Sequence, residues 1–341
     1  MNAAYPEVPR KQASPVKRKI QRILLTLLFA IALILTSGFF YEWIASKQAA
    51  QDYPPPGKLV DVGGYRLHIN QAGTGSPAII LEAGSGETSL SWRDIPQELA
   101  KFATVVSYDR AGYAWSEAAT VERTGSNIVN ELHAALEHEG IKGPYLLVGH
   151  SLGGMYVRLF AQTYPDEVSG LVLIDARPEN DERDTKEILE QEKFSGNPPA
   201  ALLSLLKNSG ALRLFRNQLL EGLVAKEDRE EFINVIAKSS FFTAKEEEAK
   251  LASSTEDAIR GQHLGDLPVK VIARGLSQDY PSVGISAESG SKLEAIWQAG
   301  QREMLKISSN SELIVAKQSG HMVIHDEPEL VIKTIRALAQ P

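Results

Sequence analysis

Tyr145-Leu146-Leu147-Val148-Gly149-His150-Ser151-Leu152-Gly153-Gly154 is the stretch on which the fold turns. An apolar run of strand character ends at Gly149, and a helix-compatible segment, 155–164, begins just past Gly154. Between them Gly149-His150-Ser151-Leu152-Gly153 matches G-x-S-x-G, the sharp turn that lifts a serine above the end of a parallel strand. The spacing has a steric cause. A serine in that turn adopts a strained backbone conformation, so strand and helix approach closely only where the residues two positions either side lack a Cβ. A bare G-x-S-x-G arises by chance in many chains. Here the strand before it and the helix after it give it weight.

The pattern continues on both sides. Residues 58–62 and 65–70 alternate around Gly63-Gly64, a hairpin signal. Apolar strand runs follow at 78–81, 103–108, 170–174, 268–273 and 312–316. Helical patterns occupy 91–101, 124–139, 289–307 and 328–339, the second with Ile128, Leu132, Ala135 and Leu136 on one face. Apolar strands alternating with helices predict a mostly parallel sheet covered on both faces. Residues 178–264 break the rhythm: helical in pattern, strongly acidic (Glu246-Glu247-Glu248), without a strand signal. Inserted at the carboxyl edge of the sheet, they would form a helical lid.

Ahead of this domain lies a different composition. Residues 1–22 carry Arg10, Lys11, Lys17, Arg18, Lys19 and Arg22, whereas 23–41 hold no charge at all. At about 1.5 Å per residue those positions match the hydrocarbon core of a bilayer. The basic cluster before the span and Glu42 after it place the N-terminus in the cytoplasm, with Tyr41 and Trp43 as interfacial anchors. We expect a basic tail over 1–22, a signal anchor over 23–44, a linker over 45–57 stiffened by Pro54-Pro55-Pro56, and a catalytic domain over 58–341 outside the cytoplasm. Cleavage after the apolar segment, giving a secreted form, is the alternative; the segment is longer than a typical signal peptide's core.

Composition excludes several classes. The 341 residues are 43% hydrophobic and 23% charged, as in globular proteins. A net charge of −7 gives no expectation of nucleic acid as partner. The absence of cysteine removes disulfides, thiolate nucleophiles and Cys-type zinc sites. The histidines are scattered without ligand spacing, so neither a metal nor a cofactor is expected. Oligomeric state is not encoded in any pattern here.

Across 58–339 the chain resembles the α/β-hydrolase fold family. The matching pieces are Tyr108-Asp109-Arg110-Ala111-Gly112-Tyr113, the elbow with Gly154, Leu171-Val172-Leu173-Ile174-Asp175, and Ser319-Gly320-His321, in the family's order. The resemblance implies an α/β fold with an eight-stranded, mostly parallel sheet. It implies Ser151 as nucleophile and His321 as the base that takes its proton. The acid behind His321 has two candidates. Asp279 follows the 269–273 strand at the usual family position, in a longer loop; Asp175 ends the strand after the elbow helix, where some relatives carry theirs. The more rigid position favours Asp175. The oxyanion would rest on the N–H groups of Leu152 and Ser85, the latter in Ala83-Gly84-Ser85, where relatives usually carry His-Gly-x. Glu82 either braces that loop in place of the missing histidine or is a surface carboxylate, and Tyr113 and Trp115 either line the pocket mouth or serve ordinary packing. Asp109-Arg110 reads as structural, His325 as structural, and His150 as pointing away from the nucleophile.

The implied activity is a serine hydrolase acting on a carboxylic ester or related small acyl substrate through an acyl-enzyme. Acyl transfer or peptidase-type chemistry on the same residues is the alternative within enzymes. A non-catalytic, ligand-binding hydrolase fold is the alternative outside them. An epoxide hydrolase or dehalogenase is disfavoured, because those relatives need an aspartate where Ser151 stands.

Overall fold

Short β-branched and aliphatic runs with no polar alternation must be covered on both faces. Such runs form the middle strands of one eight-stranded sheet in the computed structural model, which describes residues 15–340 apart from 195, 197, 222 and 223. The basic residues Arg10 and Lys11 of the expected tail lie outside the described residues. The strands are β1 (Lys58–Asp61), β2 (Arg66–Ala72), β3 (Ala78–Glu82), β4 (Thr104–Asp109), β5 (Tyr145–His150), β6 (Val168–Ile174), β7 (Val269–Arg274) and β8 (Ser311–Ala316). Their spatial order is β1-β2-β4-β3-β5-β6-β7-β8. The first hairpin and the β2–β4 pair are antiparallel, and every later pairing is parallel.

Period-two geometry sends successive side chains of one strand to opposite faces. Tyr145 and Leu147 of β5 therefore join the core beneath the helices Gly125–His138 and Leu152–Thr163. Leu146 and Val148 join the core beneath Ile95–Leu99 and Pro328–Ala339. Because β5 to β8 run parallel, their carboxyl ends share one edge. Ser151, Asp175 and His321 all lie just past such ends.

Between β6 and β7 the described residues form helices and no strand, the longest being Asp181–Gln191, Ala200–Asn208 and Ser239–Ile259. This insertion has its own apolar cluster, including Leu212, Leu220, Ile233, Phe241 and Phe242, with Tyr113 of the main domain built into it.

The N-terminal helix, Pro15–Asp52, is long and apolar enough to cross a membrane. It departs from expectation at its far end. Instead of giving way to a linker at 45, the helix runs on to Asp52, and only 53–57 separate it from β1. The last turns are held by the lid: Glu42 is buried and accepts from Lys207 and from Arg213 (3.0 Å), and Ala49 is buried too. Pro54-Pro55-Pro56 then stop the helix, since proline lacks the N–H and restricts the residue before it.

Candidate active site

The elbow is steric in origin. Ser151 sits at φ 52° and ψ −121°, a conformation that costs a side-chain-bearing residue free energy and survives only when its surroundings fix it. They do. Its N–H donates to Ile174 O (3.0 Å), and its carbonyl accepts from Gly154 N (3.0 Å) and Arg177 N (2.9 Å). A Cβ on Gly149 would stand 2.6 Å from Gly153 O, and one on Gly153 would stand 2.7 Å from Ala83 O. Both positions are closed to any other residue, because the strand, the helix and the 83–86 loop share that space.

Three side chains from three strand ends meet at Ser151. Its Oγ lies 3.0 Å from His321 Nε2, and His321 Nδ1 lies 2.6 Å from Asp175 Oδ2. Asp175 is fully buried and accepts further bonds from Arg274 N (3.2 Å), Arg274 Nη1 (3.1 Å) and Trp297 Nε1 (2.9 Å). Burial opposes its ionisation, but the bond and charge of His321, the Arg274 guanidinium and the Trp297 N–H together hold the carboxyl below its usual range. Arg274 is itself balanced by Glu294 at 2.7 Å. Thus β7 contributes a cation to the site and not an acid. Asp279, five residues past its end, is exposed and has no bond to His321 among the described residues; its carbonyl accepts from Ser282 Oγ (2.7 Å).

The 82–87 loop faces the start of the elbow helix. Leu152 is that helix's first residue, so its N–H has no acceptor within the helix, and the Ser85 N–H has none among the described residues. The loop is pinned by Arg110. Its Nη1 donates to Glu82 Oε1 (2.8 Å) and Ala83 O (2.6 Å), its Nη2 to Gly84 O (2.7 Å), and its Nε to Glu248 of the lid (3.1 Å). Glu82 is buried, so it acts as a brace and not as a surface carboxylate. Asp109 and Arg110 do not pair with each other. Asp109 binds His68 Nδ1 (2.8 Å) and Ser89 N (2.8 Å). Tyr113 and Trp115 are packing residues: Tyr113 is buried with its hydroxyl on Glu248 (2.8 Å), and Trp115 donates to Tyr53 O (3.0 Å). His325 donates to Ser91 O (2.8 Å) and takes no part.

Sequence reading missed Glu87 and the use of His150. The His150 ring does not approach Ser151, but it supports the residues that do. Its Nε2 lies 2.9 Å from the His321 carbonyl, which only accepts, so Nε2 carries hydrogen. Its Nδ1 lies 2.9 Å from Glu87 Oε2, and that same oxygen accepts from Gly84 N (2.9 Å). Burial opposes the ionisation of Glu87, yet the charge and bond of His150 and the Gly84 N–H bring its carboxyl down to about 2. Burial likewise opposes charge on His150, and Glu87 overrides it, raising the imidazole above its ordinary value. One buried ion pair thus joins the 82–87 loop to the backbone of His321. No local pattern marks it, since Glu87 and His150 are 63 residues apart.

A cavity of about 620 Å³ lies not at Ser151 but between the N-terminal helix and the lid, lined by residues including Ile44, Ala49, Tyr53, Arg213, Arg216 and Ile233. No cluster of potential metal ligands occurs among the described residues.

Comparison with known proteins agrees with the topology. The family described as alpha/beta hydrolase fold matches residues 77–207. The YqjL protein of Bacillus subtilis is 26% identical over 276 residues, 80% of this chain and 88% of that protein. A Hormonema carpetanum protein that bears a transporter's name is 24% identical over 82% of this chain, which spans only 42% of it. Among solved structures, an esterase from Thermogutta terrifontis superposes with a TM-score of 0.56 at 20% identity, covering 82% of this chain and 96% of that one. An epoxide hydrolase from Vigna radiata does so with a TM-score of 0.61 at 18%, covering 82% and 96%. These likenesses establish the fold.

Two predictions follow from the geometry. Asp175→Asn replaces the charged acceptor behind His321 with a neutral amide and should lower any turnover at Ser151 by about 10³–10⁴-fold, while Asp279→Asn should leave it within about two-fold. Steady-state kinetics of both variants decides between the carboxylates. Secondly, the raised His150 contributes stability in full below the ordinary histidine range and loses it as pH rises through its own value. The depressed Glu87 contributes above the ordinary carboxylate range and loses it as pH falls towards about 2. Urea unfolding should therefore find Glu87→Gln less stable by about 3 kcal/mol near pH 6, with the gap narrowing on either side. A gap below about 0.5 kcal/mol at every pH is what an exposed, worthless pair would give.

Proposed function

We propose that this α/β-hydrolase-fold protein is a serine hydrolase that cleaves a carboxylic ester or related acyl compound through an acyl-enzyme. The observation that carries the reading is the continuous contact from Ser151 Oγ to His321 Nε2 and from His321 Nδ1 to Asp175. A serine hydroxyl is a poor nucleophile at neutral pH; a histidine within 3.0 Å can take its proton as the oxygen attacks. Asp175, held ionised, fixes the imidazole with Nδ1 protonated and stabilises the cation that forms. The tetrahedral oxyanion then accepts from the Leu152 and Ser85 N–H groups. His321 returns the proton to the leaving alcohol, and a water activated by the same histidine releases the acid and regenerates Ser151.

Esterases and epoxide hydrolases share this architecture among the structures similar to the chain, and the nucleophile separates the two chemistries. Opening an epoxide in this fold needs a carboxylate at the elbow, and the chain carries Ser151 there. We further propose that the N-terminal helix anchors the protein in a membrane, with the hydrolase domain on the far side from the basic residues before the span. Purified protein should hydrolyse short p-nitrophenyl esters and label with a fluorophosphonate. Ser151→Ala should abolish labelling and lower kcat by at least about 10³-fold; equal turnover by the two proteins would dismiss the assignment.

A further inference from the structure

We infer that the lid of this protein rests on the bilayer, with its short helices Ala200–Asn208, Ala211–Leu214 and Arg216–Leu219 seated in the membrane interface beside the N-terminal helix. The inference depends on the proposal that this helix spans a bilayer, and it adds a second, independent contact with lipid. Two sets of observations carry it.

The first is depth. The uncharged segment 23–41 contains Gly38, and Gly38 touches the lid: a Cβ there would collide with the Ser209 carbonyl. One turn on, the Tyr41 ring packs against Gly210, and Glu42 is enclosed by Lys207 and Arg213. Successive turns of a helix stand about 5.4 Å apart along its axis. The lid at 207–213 therefore lies level with the last turns of the apolar span, where Tyr41 and Trp43 mark the interface. A lid fixed at that height cannot stand clear of the lipid headgroups.

The second is what the lid shows to solvent. Leu202 (47% exposed), Leu205, Leu214 (61%) and Leu219 are uncovered on these three consecutive helices, as is Phe215 (56%) in the turn between the last two. Elsewhere in the hydrolase domain large exposed apolar side chains are scattered singly, such as Val121 and Val315. Runs of exposed leucine and phenylalanine in short helices next to a membrane span fit an acyl-chain boundary, not water. Arg216 lies within this run, a cation placed for anionic headgroups. The Glu42–Lys207–Arg213 cluster has a part in this arrangement. It neutralises a carboxylate at the end of the span and fixes the lid to it.

The chain has no cysteine, so single thiols can be introduced and labelled without ambiguity. Full-length protein carrying Leu28→Cys, Leu214→Cys, Phe215→Cys or Lys142→Cys would be labelled with NBD and reconstituted in phosphatidylcholine–phosphatidylglycerol vesicles containing doxyl lipids. Circular dichroism would verify that each variant is folded. Leu28 reports the span, 214 and 215 the lid, and 142, exposed before β5, the opposite end of the sheet. The expected result is loss of NBD emission to doxyl lipid at 28, 214 and 215, with 142 unquenched. Quenching at 28 alone would overturn the lid contact and leave the anchor standing. No quenching at 28 would remove the anchor and the lid contact together.

Discussion

A guanidinium with no access to water is costly unless its donors are answered and its charge is balanced. Arg110 is in that position, and the architecture around it is the answer. One side of its fork holds the carbonyls of Ala83 and Gly84 and the carboxylate of Glu82, which also takes the Tyr108 hydroxyl; the other side meets Glu248 of the lid. Removing the cation would leave Glu82 buried and unbalanced. The loop that supplies the Ser85 N–H is therefore fixed by electrostatics from behind and not by contacts with a substrate. The same side chain makes the lid part of the site, because Glu248 also collects Tyr113 and lies 4.0 Å from Arg123.

The histidine opposite is positioned in a comparable way. His321 is held through its ring by Asp175 and through its backbone by His150, and each of those is set by a further charged partner: Arg274 for Asp175, Glu87 for His150. Glu87 and Arg110 grip neighbouring atoms of one loop, the N–H and the carbonyl of Gly84. Displacing the loop would strain both networks at once. Preorganisation of this type is what an oxyanion site requires, since donors that must reorganise during the reaction return less stabilisation.

Much of this was legible in the sequence, and the reasons are local. The parallel strands announced themselves as unalternating apolar runs, the first hairpin as alternation about Gly63-Gly64, and the elbow as glycines at fixed offsets, because steric constraints act over a few residues. What stayed open depends on long-range pairing. Asp175 and Asp279 look alike as strand-following carboxylates; Arg274 and Trp297, 99 and 122 residues from Asp175, set them apart. Likewise Glu42 looked like the polar end of a membrane span, and its burial by Lys207 and Arg213 appears only once the lid is folded. That contact carries the helix to Asp52, where composition suggested a linker.

The central claim is that Ser151 forms a covalent acyl-enzyme. Its most direct test is to mix the protein with excess p-nitrophenyl ester, quench in acid within milliseconds, digest and map the modified peptide by mass spectrometry. The account predicts one acyl group on Ser151, formed in step with the nitrophenol burst and lost as turnover ends. Turnover with no adduct, or an adduct on a carboxylate or any other side chain, would contradict it.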